Sequence, residues 1–261
     1  MKWILIVFAA VAAFWLSSWG ATEPRMPPRV PVLVELFTSE GCSSCPPADA
    51  LLQRFDRMQP VAGAEAIVLS EHVDYWNQIG WKDPFSSRFY SDRQSAYASR
   101  FGLTSVYTPQ MVVDGAAEFT GSESQRAEQT IAKAGRVPKL AVQLVGIRMD
   151  SPNTVRAKVE VQDGSASYKA GKKAEVYVAL ALDHAQSQVS RGENSGRTLS
   201  HTGVVRQLEK IGEFKAGEKF SQDVDLKIDP VLAPGNLRLI AFVQEGGMGR
   251  VLGAVQRPVG K

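Results

Sequence analysis

The chain has 261 residues, 44% of them apolar, and a formal charge of only +3. That is an ordinary globular composition, long enough for one large domain or two medium ones, and it calls for no disordered tail. Its Lys and Arg residues are spread without a basic block, which argues against nucleic acid as a partner.

Residues 1–20 read as a signal peptide: Lys2 starts it, Trp3 to Leu16 is almost wholly apolar, and Ser17 to Ala21 is small and weakly polar apart from Trp19. Cleavage after Gly20 would leave residues 21–29 as a stiff, proline-containing mature tail. The alternative is an uncleaved anchor, although the apolar stretch is short for a bilayer. Either way the body is expected outside the cytoplasm, periplasmic or secreted, with membrane contact only through that segment.

Val30 to Phe37 is valine-rich and reads as a buried strand. The only two cysteines of the chain follow it, as Cys42-Ser43-Ser44-Cys45. Two intervening residues is the spacing of a redox pair or of half a zinc site. Leu51, Leu52, Phe55 and Met58 then recur at helical spacing. Ala66 to Ser70 is a second strand, ending in Glu71-His72-Val73-Asp74-Tyr75-Trp76-Asn77. Pro84 to Phe101 suggests a helix stopped by Gly102. A strand Gln110 to Val113, a turn at Asp114-Gly115, a short strand Ala116 to Phe119 and a helix from Ser122 to about Ala134 complete an α/β unit over residues 30–136.

Beyond Val137-Pro138 the texture changes. Val155 to Val161 and Val224 to Ile228 alternate strictly, and Val176 to Leu182 and Leu237 to Val243 are apolar runs bounded by turn residues. Helical spacing is hard to find. An antiparallel sandwich or jelly roll over residues 137–261 is the simplest account.

The Cys-x-x-Cys between strand and helix, and Phe101 to Pro109 followed by Val112-Val113-Asp114-Gly115, together resemble a thioredoxin fold over residues 30–135. The chain as a whole resembles the secreted thioredoxin-like proteins grouped as domain-of-unknown-function family 1223. Glu35 to Ser39, Cys42 to Leu51, His72 to Trp76, Tyr107 to Val113 and Arg191-Gly192-Glu193-Asn194 carry that likeness. The resemblance implies a thioredoxin-like α/β domain followed by an all-β domain. It also implies a cis Thr108-Pro109 peptide opposite Cys42, placed to pair with an extended substrate. Glu35 lies near the family's buried proton-moving acid; the other reading is a strand-edge carboxylate in water.

Chemically, an exported chain that needed disulfides for stability would carry several, closing long loops, whereas this pair closes a tiny one. A thiolate is the nucleophile in exchange, and a sulfur at a helix start feels unpaired backbone N–H groups. Cys42 is expected to be the more exposed, attacking thiol and Cys45 the resolving one. Pro47 disfavours helical geometry at Pro46, so the regular helix is expected from Pro47.

The first functional reading is therefore a thiol–disulfide oxidoreductase, its site residues Cys42, Cys45, Thr108, Pro109 and Glu35 and its partners protein thiols or a redox protein. No cofactor and no resident metal is expected under it. A second reading is a copper or other metal module on Cys42, Cys45 and His72, since soft thiolates select Cu(I). A third is a binding protein acting through the β domain, where Arg191 to Arg197, flanked by His184 and His201, is the one polar concentration. That segment also reads simply as a glycine-rich hairpin loop. His72 and Asp74, ending a strand, could approach the cysteines or merely cap a loop.

Overall fold

β1 (Val30–Thr38) is buried on both faces, as its near-continuous apolar run requires. It pairs in parallel with β2 (Ala64–His72), from Val30 opposite Ala64 to Thr38 opposite His72. The crossover between them is α1 (Pro46–Met58). After a 3-10 helix at Tyr75–Ile79 and α2 (Arg88–Phe101), β3 (Gln110–Val113) runs antiparallel to the other edge of β1. It forms a hairpin with β4 (Ala117–Thr120), and α3 (Ser124–Ala134) follows. These features come from a computed structural model that describes residues 29–162, 173–215, 217–229 and 232–260. The expected signal segment 1–20 and residues 21–28 of the tail lie outside the described residues.

The second half supplies β5 (Val142–Ser151), β6 (Thr154–Val161), β7 (Lys173–Leu182), β8 (Ala185–Gln188), β9 (Thr198–His201), β10 (Val204–Lys215), β11 (Phe220–Lys227), β12 (Leu237–Glu245) and β13 (Val251–Pro258). Beyond Ala134 the described residues hold no α-helix, only a 3-10 turn at Pro234–Asn236.

The expectation of a thioredoxin-like α/β domain followed by a separate all-β domain is overturned by how these strands join. One mixed sheet of eight strands, in the order β13-β12-β7-β10-β2-β1-β3-β4, runs through both halves. The join is short: Val204 pairs in parallel with Ser70, and the Ser70 N–H donates to the Gly203 carbonyl at 2.8 Å. Gly203 has φ of +60°, and a β-carbon there would lie 2.6 Å from the Val68 carbonyl oxygen. Only glycine lets the backbone approach β2 this closely. Reading windows of sequence finds the individual strands, but nothing within a window says which free edge accepts which strand.

Side-chain alternation then divides the layers. Val32, Val34 and Leu36 of β1 pack with Leu52 and Phe55 of α1 and Ile131 of α3. Val204 lies on that same face through its pairing with Ser70, and there the three-stranded sheet β11-β6-β5 covers Val178, Leu180 and Leu239. On the opposite face Leu33, Ile67 and Leu69 join Tyr90 of α2 with Ala179, Ile240 and Phe242. That core draws side chains from both halves. Fully burying each aliphatic or aromatic side chain is worth roughly 1.5–3 kcal/mol, so the shared face binds the halves into one folding unit.

Candidate functional site

The loop from Thr38 to α1 folds through local turns. The Ser39 hydroxyl accepts from the Gly41 N–H at 3.1 Å, and the Cys42 N–H donates to the Ser39 carbonyl at 3.2 Å. Cys42 and Cys45 are disulfide-bonded with their Cα atoms 5.4 Å apart. The expected difference in exposure is not there: both cysteines are 0% exposed, whereas Ser43 and Ser44 between them face solvent.

α1 begins at Pro46 rather than Pro47, and Cys45 already has helical dihedrals, φ −78° and ψ −37°. A first turn tolerates both prolines because their missing N–H groups would have had no helical partner. The consequence for the sulfurs is specific. The Cys45 N–H donates to the Cys42 carbonyl, Pro46 and Pro47 have no N–H, and the Ala48 N–H donates to the Cys45 carbonyl at 2.8 Å. No amide of the first turn is left over for a thiolate.

Thr108 and Pro109 sit beside this loop, joined by a cis peptide bond. The Trp76 indole N–H donates to the Thr108 hydroxyl at 2.8 Å, and Trp76 Cβ lies 3.1 Å from where a β-carbon on Gly41 would stand. From the other side, a β-carbon on Gly121 would lie 3.1 Å from Ala48 Cβ and 3.3 Å from Pro109 Cβ. The structure thus gathers Cys42, Cys45, Thr108 and Pro109 at one end of the sheet.

Glu35 is elsewhere. It is fully buried, not in water, and alternation along β1 turns it to the face opposite α1. Its carboxylate accepts from Arg93 Nε at 2.8 Å and from the Tyr97 hydroxyl at 2.6 Å. Glu71 shares that Arg93, 3.6 Å from Nε. Burial pushes the Glu71 carboxyl well above the usual carboxylate range; Arg93 opposes the shift and Glu35 adds to it.

A second buried polar group lies under the disulfide loop. The Glu40 N–H donates to Asp83 Oδ2 at 2.9 Å, and the same oxygen meets His72 Nδ1 at 2.7 Å. Trp81 donates to Glu40 Oε2 at 2.7 Å, and the Thr38 hydroxyl donates to Asp49 Oδ1 at 2.9 Å. His201, from the second half, lies between Glu40 and Asp49 at 3.4 and 3.7 Å and edge-on to His72 with ring centres 4.7 Å apart. At those distances the carboxylates are charge partners rather than hydrogen-bond acceptors, and neither ring nitrogen has a hydrogen bond. Burial would depress the His201 pKa, but Asp49 and Glu40 outweigh it and raise it to about 10. Burial would likewise raise Asp83, but facing His72 and accepting N–H bonds hold it below the usual carboxylate range.

Asp74 precedes the 3-10 helix and its carboxylate is turned to α2, accepting from the Ser91 hydroxyl at 2.6 Å. His184 is exposed. Among the described residues, no three or more His, Cys, Asp or Glu side chains are disposed to hold a metal ion.

The Arg191 to Arg197 segment reaches the site itself. It connects β8 and β9, which lie along α1, where Gln53 and Asp56 bond Ser200 and Thr202. Asn194 Nδ2 donates to the carbonyls of both Glu40 and Cys42 at 2.9 Å, and Glu193 Oε2 accepts from the Ser43 N–H at 3.0 Å. Those bonds to Ser43 hold the Glu193 carboxyl below its usual range. The reading of a glycine-rich hairpin loop finds the turn but not its destination, 150 residues away along the chain.

Fold and site together define a mostly β protein on a large mixed sheet, with a Cys-x-x-Cys disulfide at the start of a crossover helix and a loop from the second half laid over it. The chain belongs to the family described as protein of unknown function (DUF1223), whose profile matches residues 33–244. Among solved structures it is similar to the protein AGR_C_4864 of Agrobacterium tumefaciens, at 24% identity and a TM-score of 0.68, over 90% of this chain and 96% of that one. It is also similar to HBP35 of Porphyromonas gingivalis, at 15% identity and a TM-score of 0.63, over 89% and 76% of the two chains. At these identities the likeness is one of fold. Comparison with curated proteins finds no match.

Proposed function

We propose that the Cys42–Cys45 pair is a thiol–disulfide exchange centre acting on protein thiols outside the cytoplasm. The observation that carries this reading is the disulfide itself. It joins residues three apart at the start of a helix, where it closes almost no chain and so constrains little of the unfolded state. The cis Thr108-Pro109 peptide at the same end of the sheet supports it, as a place where an extended segment could pair. The apolar leader Trp3 to Leu16 supports an oxidising compartment, in which such a bond persists.

In the exchange, a substrate thiolate attacks Cys42 and the S–S electron pair leaves on Cys45, which takes up a proton. A second substrate thiol then resolves the mixed disulfide, so two thiols are oxidised as one disulfide is reduced. The pair is reversible, so with Cys45 replaced by Ser the Cys42 thiolate can still attack a disulfide of an exported protein, expelling one of its sulfurs as a thiolate. Without a resolving thiol that mixed disulfide should persist, seen on non-reducing gels and identified by mass spectrometry. A Cys45→Ser protein that is exported and folded yet carries no adduct would overturn the reading.

A further inference from the structure

Exchange at a disulfide requires the attacking sulfur to approach along the S–S axis, and at 0% exposure neither Cys42 nor Cys45 offers that approach. Some covering element must move. The loop between β8 and β9 has the build for it. Arg191, Glu193, Ser195, Gly196 and Arg197 are exposed, and within residues 191–197 Asn194 alone is fully buried, inserted against the disulfide loop. Glycines stand two residues to either side of it, Gly192 at φ +78° and Gly196 at φ +81°, so the insertion depends on backbone that only glycine adopts readily.

The loop takes up the polar backbone beside the sulfur. Asn194 occupies the Glu40 and Cys42 carbonyls and Glu193 occupies the Ser43 N–H, so two side chains hold three main-chain groups around one cysteine. An extended polypeptide docking beside Cys42 would use groups of this kind. Other neighbours of the disulfide loop are anchored differently: Asp83 and Trp81 bond Glu40 from within the buried histidine and carboxylate group, and Trp76 is held by its bond to Thr108.

We infer that the Glu193-Asn194 dipeptide is a built-in occupant of the docking edge beside Cys42, a gate that a thiol-bearing extended segment must displace before exchange. Asn194 is thus a positioning residue, acting on the sulfur through the Cys42 carbonyl. The gate sets how fast the disulfide is reached; how tightly the pair holds its electrons is a separate matter. It rests on the exchange reading only in taking the disulfide as reducible.

The test is the rate at which reduced glutathione opens the disulfide of the full-length purified protein at pH 7, followed by acid quench and thiol alkylation. Two glutathione thiols are oxidised to one glutathione disulfide as Cys42 and Cys45 gain two electrons and two protons. Asn194→Ala should react at least tenfold faster than the parent and Glu193→Ala severalfold faster. Glu193→Gln keeps an acceptor for the Ser43 N–H and should stay within twofold of the parent.

A folded Asn194→Ala protein reacting at the parent rate would overturn the gate. Should that variant not fold, Glu193→Ala at the parent rate would overturn it equally. Glu193→Gln as fast as Glu193→Ala would assign the effect to the carboxylate charge and also overturn it. Gate-dependent glutathione rates with no protein captured by Cys45→Ser would sink the protein-thiol reading and leave the gate standing.

Discussion

Glu35 and Arg93 form a buried ion pair, Arg93 Nη2 standing 2.5 Å from Glu35 Oε1, on the face of β1 turned away from α1 and the disulfide. Arg93 also reaches Gln244 of β12 at 3.2 Å, so one guanidinium ties α2 to strands of both halves. Replacing it with Met leaves Glu35 buried and uncompensated, which should cost about 3–5 kcal/mol in urea unfolding. Glu35→Gln should cost less, because Glu71 remains to face Arg93. Its disulfide should react with glutathione within twofold of the parent rate; a tenfold loss would return Glu35 to the reaction.

The position of His201 makes stability depend on alkaline pH. Its folded pKa of about 10 lies above the ordinary 6.5, so its contribution is fully present below about pH 6.5 and is lost as pH rises through 10. Between those limits stability should fall by about 1.4 kcal/mol per pH unit from this group. Urea midpoints measured from pH 6 to 10 should show that slope in the parent and a flatter one in His201→Gln. Equal slopes would mean that Glu40 and Asp49 do not hold the proton on His201.

Reducing the disulfide should leave the protein folded. The chain-entropy account gives a loop this short about 2 kcal/mol at most, below what structural disulfides of small secreted domains supply. A Cys42→Ser, Cys45→Ser double variant that keeps its circular dichroism and loses no more than that in urea meets the expectation. Collapse of the fold would make the pair structural.

Because β2 and β10 join the halves, residues 30–136 should not fold alone. Cut there, the chain exposes the edge of β2 and the apolar face of Leu33, Ile67 and Leu69, which the second half covers. The fragment should lack a cooperative urea transition, while the full chain shows a single one. Gly203→Ala, forced against the Val68 carbonyl at positive φ, should lower that transition by at least about 1 kcal/mol.

Much of the local structure was legible in the chain. Apolar alternation marks β6 and β11, helical spacing of Leu51, Leu52 and Phe55 marks the buried face of α1, and Gly102 closes α2 at φ +70°. The Cys-x-x-Cys spacing at the start of α1 was also legible in the chain. The burial of Asp83 and Arg93 was not: a lone charged residue has no period to betray that it is buried. Asn194 carried a faint signal, the middle of a polar tripeptide, Glu193-Asn194-Ser195, set between two glycines.

Periodicity and residue spacing act over a few residues, so the chain carries its strands, its helices and its cysteine pair on its face. Which strand edge meets which, and which side chain answers a buried charge, depends on pairings between residues far apart, decided only when the whole sheet closes. Val204 beside Ser70, His201 between Glu40 and Asp49, and Asn194 on the Cys42 carbonyl are all of this kind. Each satisfies a backbone edge, a charge or a carbonyl that the local sequence leaves open, and burial makes leaving it open costly.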